Sequence, residues 1–123
     1  MFYSKKLKNY KNIKHCFFSR HGGFSKGLYK GLNCGRGSKD KKENILRNLN
    51  YVSKRMFVKK NKLILMNQTH SNKVVEIKKN NFKKKINSDA IITRTREFAL
   101  GVVTADCVPI LLYDKKSEIV GCI

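Results

Sequence analysis

Between Ala90 and Ile123 the chain carries four apolar, β-branched runs: Ala90 to Thr93, Phe98 to Thr104, Val108 to Tyr113 and Glu118 to Ile123. Only the turn-like segments RTRE and DKKS and the polar pair before Val108 separate them. Short apolar runs punctuated in this way fold as strands. Because the runs are continuous rather than alternating, they predict strands covered on both faces, in a layered α/β or α+β domain. Asp106 interrupts the longest apolar stretch, from Phe98 to Tyr113. No stretch therefore approaches the roughly 20 apolar residues of a membrane helix.

The first half reads differently. His15 to Ser19 (HCFFS) predicts a short strand, followed by a loop that holds six of the eight glycines, from Gly22 to Gly37. Asp40 with Glu43 three residues later matches a capping box, and Ile45, Leu49, Val52 and Met56 follow at helical spacing, so a helix starting at Asp40 is expected to bury that stripe. Leu63 to Asn67 and Lys73 to Ile77 predict strands on either side of the polar segment Gln68 to Asn72. There is no internal repeat and no linker.

Composition sets bounds. With 28 Lys and Arg against 8 Asp and Glu the net charge is +20, while 41% hydrophobic residues suffice for one small core. Clustered cations would favour nucleic acid, yet Lys78 to Lys85 is the only dense run. The remaining lysines lie among Asn, Ile and Tyr, which share A/T-rich codons with Lys, so the charge is read as compositional. A basic nucleic-acid-binding module stays as an alternative. No apolar signal core follows the scattered early lysines, which gives an expectation of a cytoplasmic protein. Four cysteines without a CxxC pair, in a reducing compartment, predict no disulfide framework. Cys16, Cys34 and Cys122 are expected to pack as small apolar residues.

Cys107 is the exception. It stands in Thr104-Ala105-Asp106-Cys107-Val108-Pro109, between two apolar runs and before the chain's single proline, and His70 stands in Gln68-Thr69-His70, at another inferred strand end. A thiolate and an imidazole converging there could be zinc ligands, or a nucleophile with its base. Two ligands fall short of the three that a catalytic zinc takes from protein. Arg20 opens the glycine loop, where a guanidinium beside free backbone N–H groups would make an anion cradle. No P-loop or dinucleotide fingerprint is present.

These residues also stand in a familiar order. Ser19-Arg20-His21-Gly22-Gly23-Phe24-Ser25, then Tyr29, Leu32-Asn33 and Gly35, then Asn44 and Asn48, Gln68-Thr69-His70, Asp89-Ala90, Thr93 and the block around Cys107 resemble the laccase-domain or multicopper polyphenol oxidase family, now regarded as purine nucleoside phosphorylases. The resemblance spans about residues 15 to 123. It implies an α+β fold of α/β/β/α layers and a zinc held by two His and one Cys. The implied activities are phosphorolysis of adenosine, inosine, guanosine and methylthioadenosine, together with adenosine deamination. Carried over by position, His70 and Cys107 are two of the three metal ligands. Arg20, Cys107 and Asp106 become catalytic, and Arg20, Gly22, Gly23 and Asn33 bind phosphate or substrate. Zinc is preferred to copper, because several coppers need more histidines than the three here. A metal-free Cys-His hydrolase is the other enzymatic reading. Ser38-Lys39-Asp40 and Leu49 depart from the family pattern around the helix start.

The third ligand of the resemblance belongs to a His-Ala-Gly-Trp-Arg-Gly-like block expected directly after Ile123. The sequence also stops within an apolar run. Residues 1 to 123 are thus expected to be the N-terminal part of a single laccase domain, truncated at its C-terminal side, with sheet edges left open and poor solubility in isolation.

Overall fold

The computed structural model describes residues 1–123. They divide into two compact units, Met1–Lys60 and Asn61–Ile123, at a point where the sequence shows no linker.

In the first unit, helix α1 (Lys5–Lys8) is a single turn capped by the Ser4 hydroxyl, which accepts the Leu7 N–H. The strand expected at His15 to Ser19 does not form. Phe17 exchanges both backbone hydrogen bonds with Phe2, at 2.8 and 2.9 Å, but α1 begins three residues after Phe2 and leaves no partner to extend the ladder. Helix α2 (Lys42–Arg55) begins two residues later than the capping box predicts. Its N-cap is Lys41, because the Asp40 carboxylate is already engaged by the Ser25 hydroxyl (2.6 Å), the Asn33 amide (3.0 Å) and the Lys41 N–H (2.7 Å). The expected stripe is correct for Ile45 and Leu49, which are buried; Val52 is half-buried and Met56 is the C-cap. Asn48 and Ser53, on the same helix, are also buried.

The second unit holds six short strands: β1 (Leu63–Leu65), β2 (Val74–Glu76), β3 (Ala90–Thr93), β4 (Ala99–Gly101), β5 (Leu111–Asp114) and β6 (Ile119–Cys122). Only β3 has the length that the apolar run predicts; the others lose residues at one or both ends. Strands β1 and β4 form a parallel pair, and the order β2-β3-β6-β5 makes a mixed four-stranded sheet in which β2 and β3 are parallel and the other neighbours antiparallel. Mixed sheets with few helices agree with the α+β expectation. The core of this unit gathers Ile64, Ile77, Ile86, Ile91, Phe98 and Cys122. Burying a side chain of that size stabilises by roughly 1.5–3 kcal/mol. Double coverage, predicted from the continuous runs, fails at β5, where exposed and half-buried residues alternate. One face of that strand meets the core and the other does not.

No helix is long and apolar enough to cross a membrane. All four cysteines are free; Cys122 is buried, Cys16 and Cys34 half-buried and Cys107 exposed.

Candidate active site

Predicted site residues fall in both units. Arg20, Gly22, Gly23 and Asn33 belong to the first, and His70, Asp106 and Cys107 to the second.

The glycine loop closes on itself. Gly31 has φ +117°, a conformation that L side chains rarely adopt, and a Cβ there would collide with the Arg20 carbonyl. A Cβ on Gly23 would in turn collide with the Gly31 carbonyl. Close backbone approach therefore explains glycine at these two positions without any ligand. The expected row of free N–H groups is also largely spent. Leu32 donates to the Arg20 carbonyl (2.7 Å), Ser25 and Gly31 to each other's carbonyls (3.1 Å each), Phe24 to Asn48 Oδ1 (2.8 Å) and Gly35 to Asn33 Oδ1 (3.0 Å). Asn33 Nδ2 donates to Ser38 Oγ and Asp40 Oδ2. Backbone groups that cannot reach water must find partners within the chain, and a short loop supplies them locally.

Sequence reasoning named the residue that organises this loop only as part of the resemblance, and gave it no role. Asn48 is fully buried on α2. Besides accepting from Phe24, it donates to Ser25 Oγ (2.9 Å) and the Asn33 carbonyl (2.7 Å). Its signal was a polar residue one position before Leu49 in an apolar stripe. The Ser25 hydroxyl, aided by Asn33 and the Lys41 N–H, holds the Asp40 carboxyl below its usual range. A shallow hollow at the start of α2, lined by Arg36, Lys42, Ile45 and Leu46, includes none of the predicted site residues.

In the second unit the β1/β4 pair decides the placement. Leu65 pairs with Gly101 in parallel register, so the chain leaves both strands at the same end. His70 lies five residues beyond Leu65, and Cys107 six residues beyond Gly101. The carboxyl ends of neighbouring parallel strands are where α/β sheets present ligand-binding groups. Residues 105–107 form a bend in which Asp106 and Cys107 are exposed.

His70 is held by a carboxylate. Asp89 Oδ1 accepts the N–H groups of Thr69 (3.2 Å) and His70 (3.0 Å), and Oδ2 those of Ser71 (2.8 Å) and the Ser71 and Thr69 hydroxyls (2.8 and 3.2 Å). For three successive N–H groups to face one anion, the backbone must turn back on itself, and His70 adopts φ +55° to do so. The Ser71 N–H and hydroxyl, with the Thr69 and His70 N–H groups, keep the Asp89 carboxyl well below the usual carboxylate range. Asp89 was visible in the sequence only as part of the resemblance.

Thiolate and imidazole are donors that suit zinc. No group of three or more His, Cys, Asp or Glu side chains stands together so as to hold a metal ion.

Comparison with known proteins adds the following. A family model described as multi-copper polyphenol oxidoreductase laccase matches residues 14–123. A purine nucleoside phosphorylase of Bacteroides thetaiotaomicron is 34% identical over 125 aligned residues, covering 95% of this chain and 46% of that protein. One from Deinococcus radiodurans is 31% identical, over 89% of this chain and 42% of that protein. Among solved structures, a Neisseria meningitidis protein superposes with a TM-score of 0.75 at 32% identity, over 84% of this chain and 41% of that one. YlmD of Geobacillus stearothermophilus gives 0.76 at 23% identity over the same shares, a likeness of fold. The chain thus spans less than half the length of the relatives it matches.

Proposed function

Because the chain belongs to the multi-copper polyphenol oxidoreductase laccase family, we propose that it contributes part of the active site of a purine nucleoside phosphorylase. The observation that carries this reading is the common end of the β1/β4 pair from which the segments bearing His70 and Cys107 depart, in a chain whose relatives bear that name.

In the proposed reaction a phosphate oxygen bonds to C1′ of the ribose as the C1′–N bond to the purine breaks. The base leaves with the bonding electrons and takes up a proton, giving ribose 1-phosphate. Arg20 pairs with phosphate through its planar guanidinium, a task of positioning and charge neutralisation. The Gly22–Gly23 turn and Asn33 hold the loop that carries it. Asp106 holds or passes a proton beside Cys107. Asp89 fixes the His70 backbone, so that the imidazole is presented from one conformation. His70 and Cys107 are two donors toward zinc, with the third expected outside these residues; zinc, when bound, would supply Lewis acidity. Adenosine deamination is proposed as a second activity of the same site.

A chimera tests this reading: the matched part of the Bacteroides thetaiotaomicron enzyme is replaced by this chain, and hypoxanthine release from inosine is followed with and without phosphate. Phosphate-dependent release that drops to background in His70→Ala and Cys107→Ser supports the reading. A folded chimera that is inactive, or whose activity survives both substitutions, overturns it.

A further inference from the structure

Charge is unevenly divided between the two units. Met1–Lys60 holds 17 Lys and Arg against 2 acids, a net +15, while Asn61–Ile123 holds 11 against 6, a net +5. A/T-rich codons enrich lysine along the whole chain, but they do not strip acids from one half of it. The ion pairs, Lys62 and Lys79 with Glu97, Lys78 and Arg94 with Glu76, and Arg96 with Glu118, all lie in the second unit. In the first, the Asp40 carboxylate is taken up by the Ser25 hydroxyl, the Asn33 amide and the Lys41 N–H, which leaves Glu43 as the one exposed acid.

Several of the cations stand over aromatic rings. Arg47, Tyr51 and Arg55 repeat at intervals of four on α2, so they share one side of the helix. The Arg47 guanidinium carbon lies 4.2 Å from the centre of the Phe24 ring, and that of Arg55 lies 5.3 Å from the Tyr51 ring. Tyr3 comes next. The neighbouring Cys16 pushes its phenol above the ordinary value, and the Arg55 charge acts on the same phenol in the opposite sense. Lys8 Nζ stands 4.9 Å from the Tyr3 ring centre. Ring and cation thus alternate from Phe24 through Arg47, Tyr51, Arg55 and Tyr3 to Lys8. Phe57, two residues past Arg55, adds a further pair, with Lys14 Nζ 3.3 Å from its ring centre. These rings are open to solvent: Phe57 is 76% exposed, Tyr3 47% and Phe24 37%.

We propose that this side of the first unit binds single-stranded nucleic acid. Cations that follow the phosphates and rings that stack on the bases are the two elements of single-strand binding. Arginine serves both, because its guanidinium pairs with phosphate bidentately and its plane stacks on rings. Four helical residues advance about 6 Å, close to two nucleotide steps of ~3.4 Å. A duplex encloses its base faces and gives the rings nothing to stack on, while an anionic bilayer would meet the charge without using the alternation. The dense run from Lys78 to Lys85 is not the site, since Lys78 and Lys79 are already paired with Glu76 and Glu97. The proposal goes beyond the proposed reaction and does not depend on it.

The test uses the 123-residue chain, or the chimera that carries it if the chain alone aggregates. Its probe is a fluorescein-labelled oligothymidylate of about 20 nucleotides, followed by fluorescence anisotropy. Binding is expected at about 50 mM salt and should weaken about 50-fold by about 200 mM, as for four phosphate contacts from Lys8, Lys14, Arg47 and Arg55. A duplex of the same length and vesicles containing phosphatidylserine should compete about tenfold less well or worse. Arg47→Ala with Arg55→Ala should weaken binding about tenfold or more, whereas Lys84→Ala with Lys85→Ala, an equal loss of charge, should change it less than about threefold. Tyr3→Leu with Phe24→Leu leaves the charge unaltered and should also cost about tenfold or more, at roughly fivefold or more per stacked base. Circular dichroism checks folding. If either site variant unfolds, Phe57→Asn decides instead, since Asn tolerates the φ of +59° there, and a loss of about fivefold is expected. No binding at low salt, equal competition by duplex or vesicles, an arginine pair no more damaging than the lysine pair, or a ring pair without effect would overturn the proposal. None of these readouts involves catalysis, so an inactive chimera leaves them standing.

Discussion

Asp89 Oδ1 accepts the backbone N–H of His70 at 3.0 Å, and the carboxylate that holds this residue gathers the N–H groups on both sides of it as well. A side chain just before β3 thereby sets the conformation of a segment 19 residues earlier. His70 is presented from a left-handed turn that a histidine tolerates but does not prefer. The carboxylate makes that conformation persistent.

Asp89→Asn should lower the thermal midpoint and loosen this segment, because an amide nitrogen would face backbone donors. The pH dependence has a definite sign. The folded carboxyl lies below its ordinary value, held there by the Ser71, Thr69 and His70 donors. Its contribution is therefore complete above the unfolded value near ~3.9 and is lost as pH falls below that value toward the depressed one. Urea midpoints measured across this acid range should fall for the parent chain and flatten for Asp89→Asn.

Gly31→Ala should be far more damaging than Gly37→Ala. The first places a Cβ against the Arg20 carbonyl at φ +117°, while at Gly37 nothing lies within 4 Å of the added atom. Chemical denaturation should give a loss of several kcal/mol, of order 3 or more, at position 31 and less than about 1 at position 37. Equal effects would show that the loop is not closed as described.

Asn48→Ala should cost about 2–4 kcal/mol, since it strands the Phe24 N–H and the Asn33 carbonyl beside a buried void. The glycine loop should become susceptible to limited proteolysis between Gly22 and Gly37. A loss below about 0.5 kcal/mol would remove Asn48 from its place as the link between α2 and the loop.

Thiol reactivity should separate the cysteines. Burial pushes Cys34 up to about 11 and Cys122 up to about 12, whereas Cys107 is exposed. Iodoacetamide at pH 8, read by peptide mass spectrometry, should label Cys107 well before Cys34 and Cys122. With the folded values raised, the two buried thiols contribute stability that is present below the unfolded value near ~8.5 and is lost as pH rises toward 11 and 12. Alkaline denaturation midpoints should fall accordingly.

Much of the local structure is legible in the residues themselves. Apolar, β-branched runs mark every strand of the second unit, and the spacing of Ile45 and Leu49 marks the buried side of α2. These signals are carried by neighbours in sequence, so a single chain displays them. Strand limits were overestimated because pairing partners, not propensity, end a strand; the unformed strand at His15 to Ser19 has the same cause. The start of α2 moved because Asp40 found better partners across a loop than at the helix end.

Neighbours in sequence were enough to give the α+β character, the apolar helix stripe and the family to which the chain belongs, while His70 and Cys107 stand as the donors proposed toward a metal. Only folding brought about the glycine loop's internal use of its N–H groups on Asn48 and on its own carbonyls, the reach of Asp89 back to His70, and the difference between the two sides of β5, one half-buried and one exposed. The division is physical. Propensity and periodicity act between residues near in sequence, whereas hydrogen-bond satisfaction and the sidedness of a sheet depend on partners that only folding brings within about 3 Å.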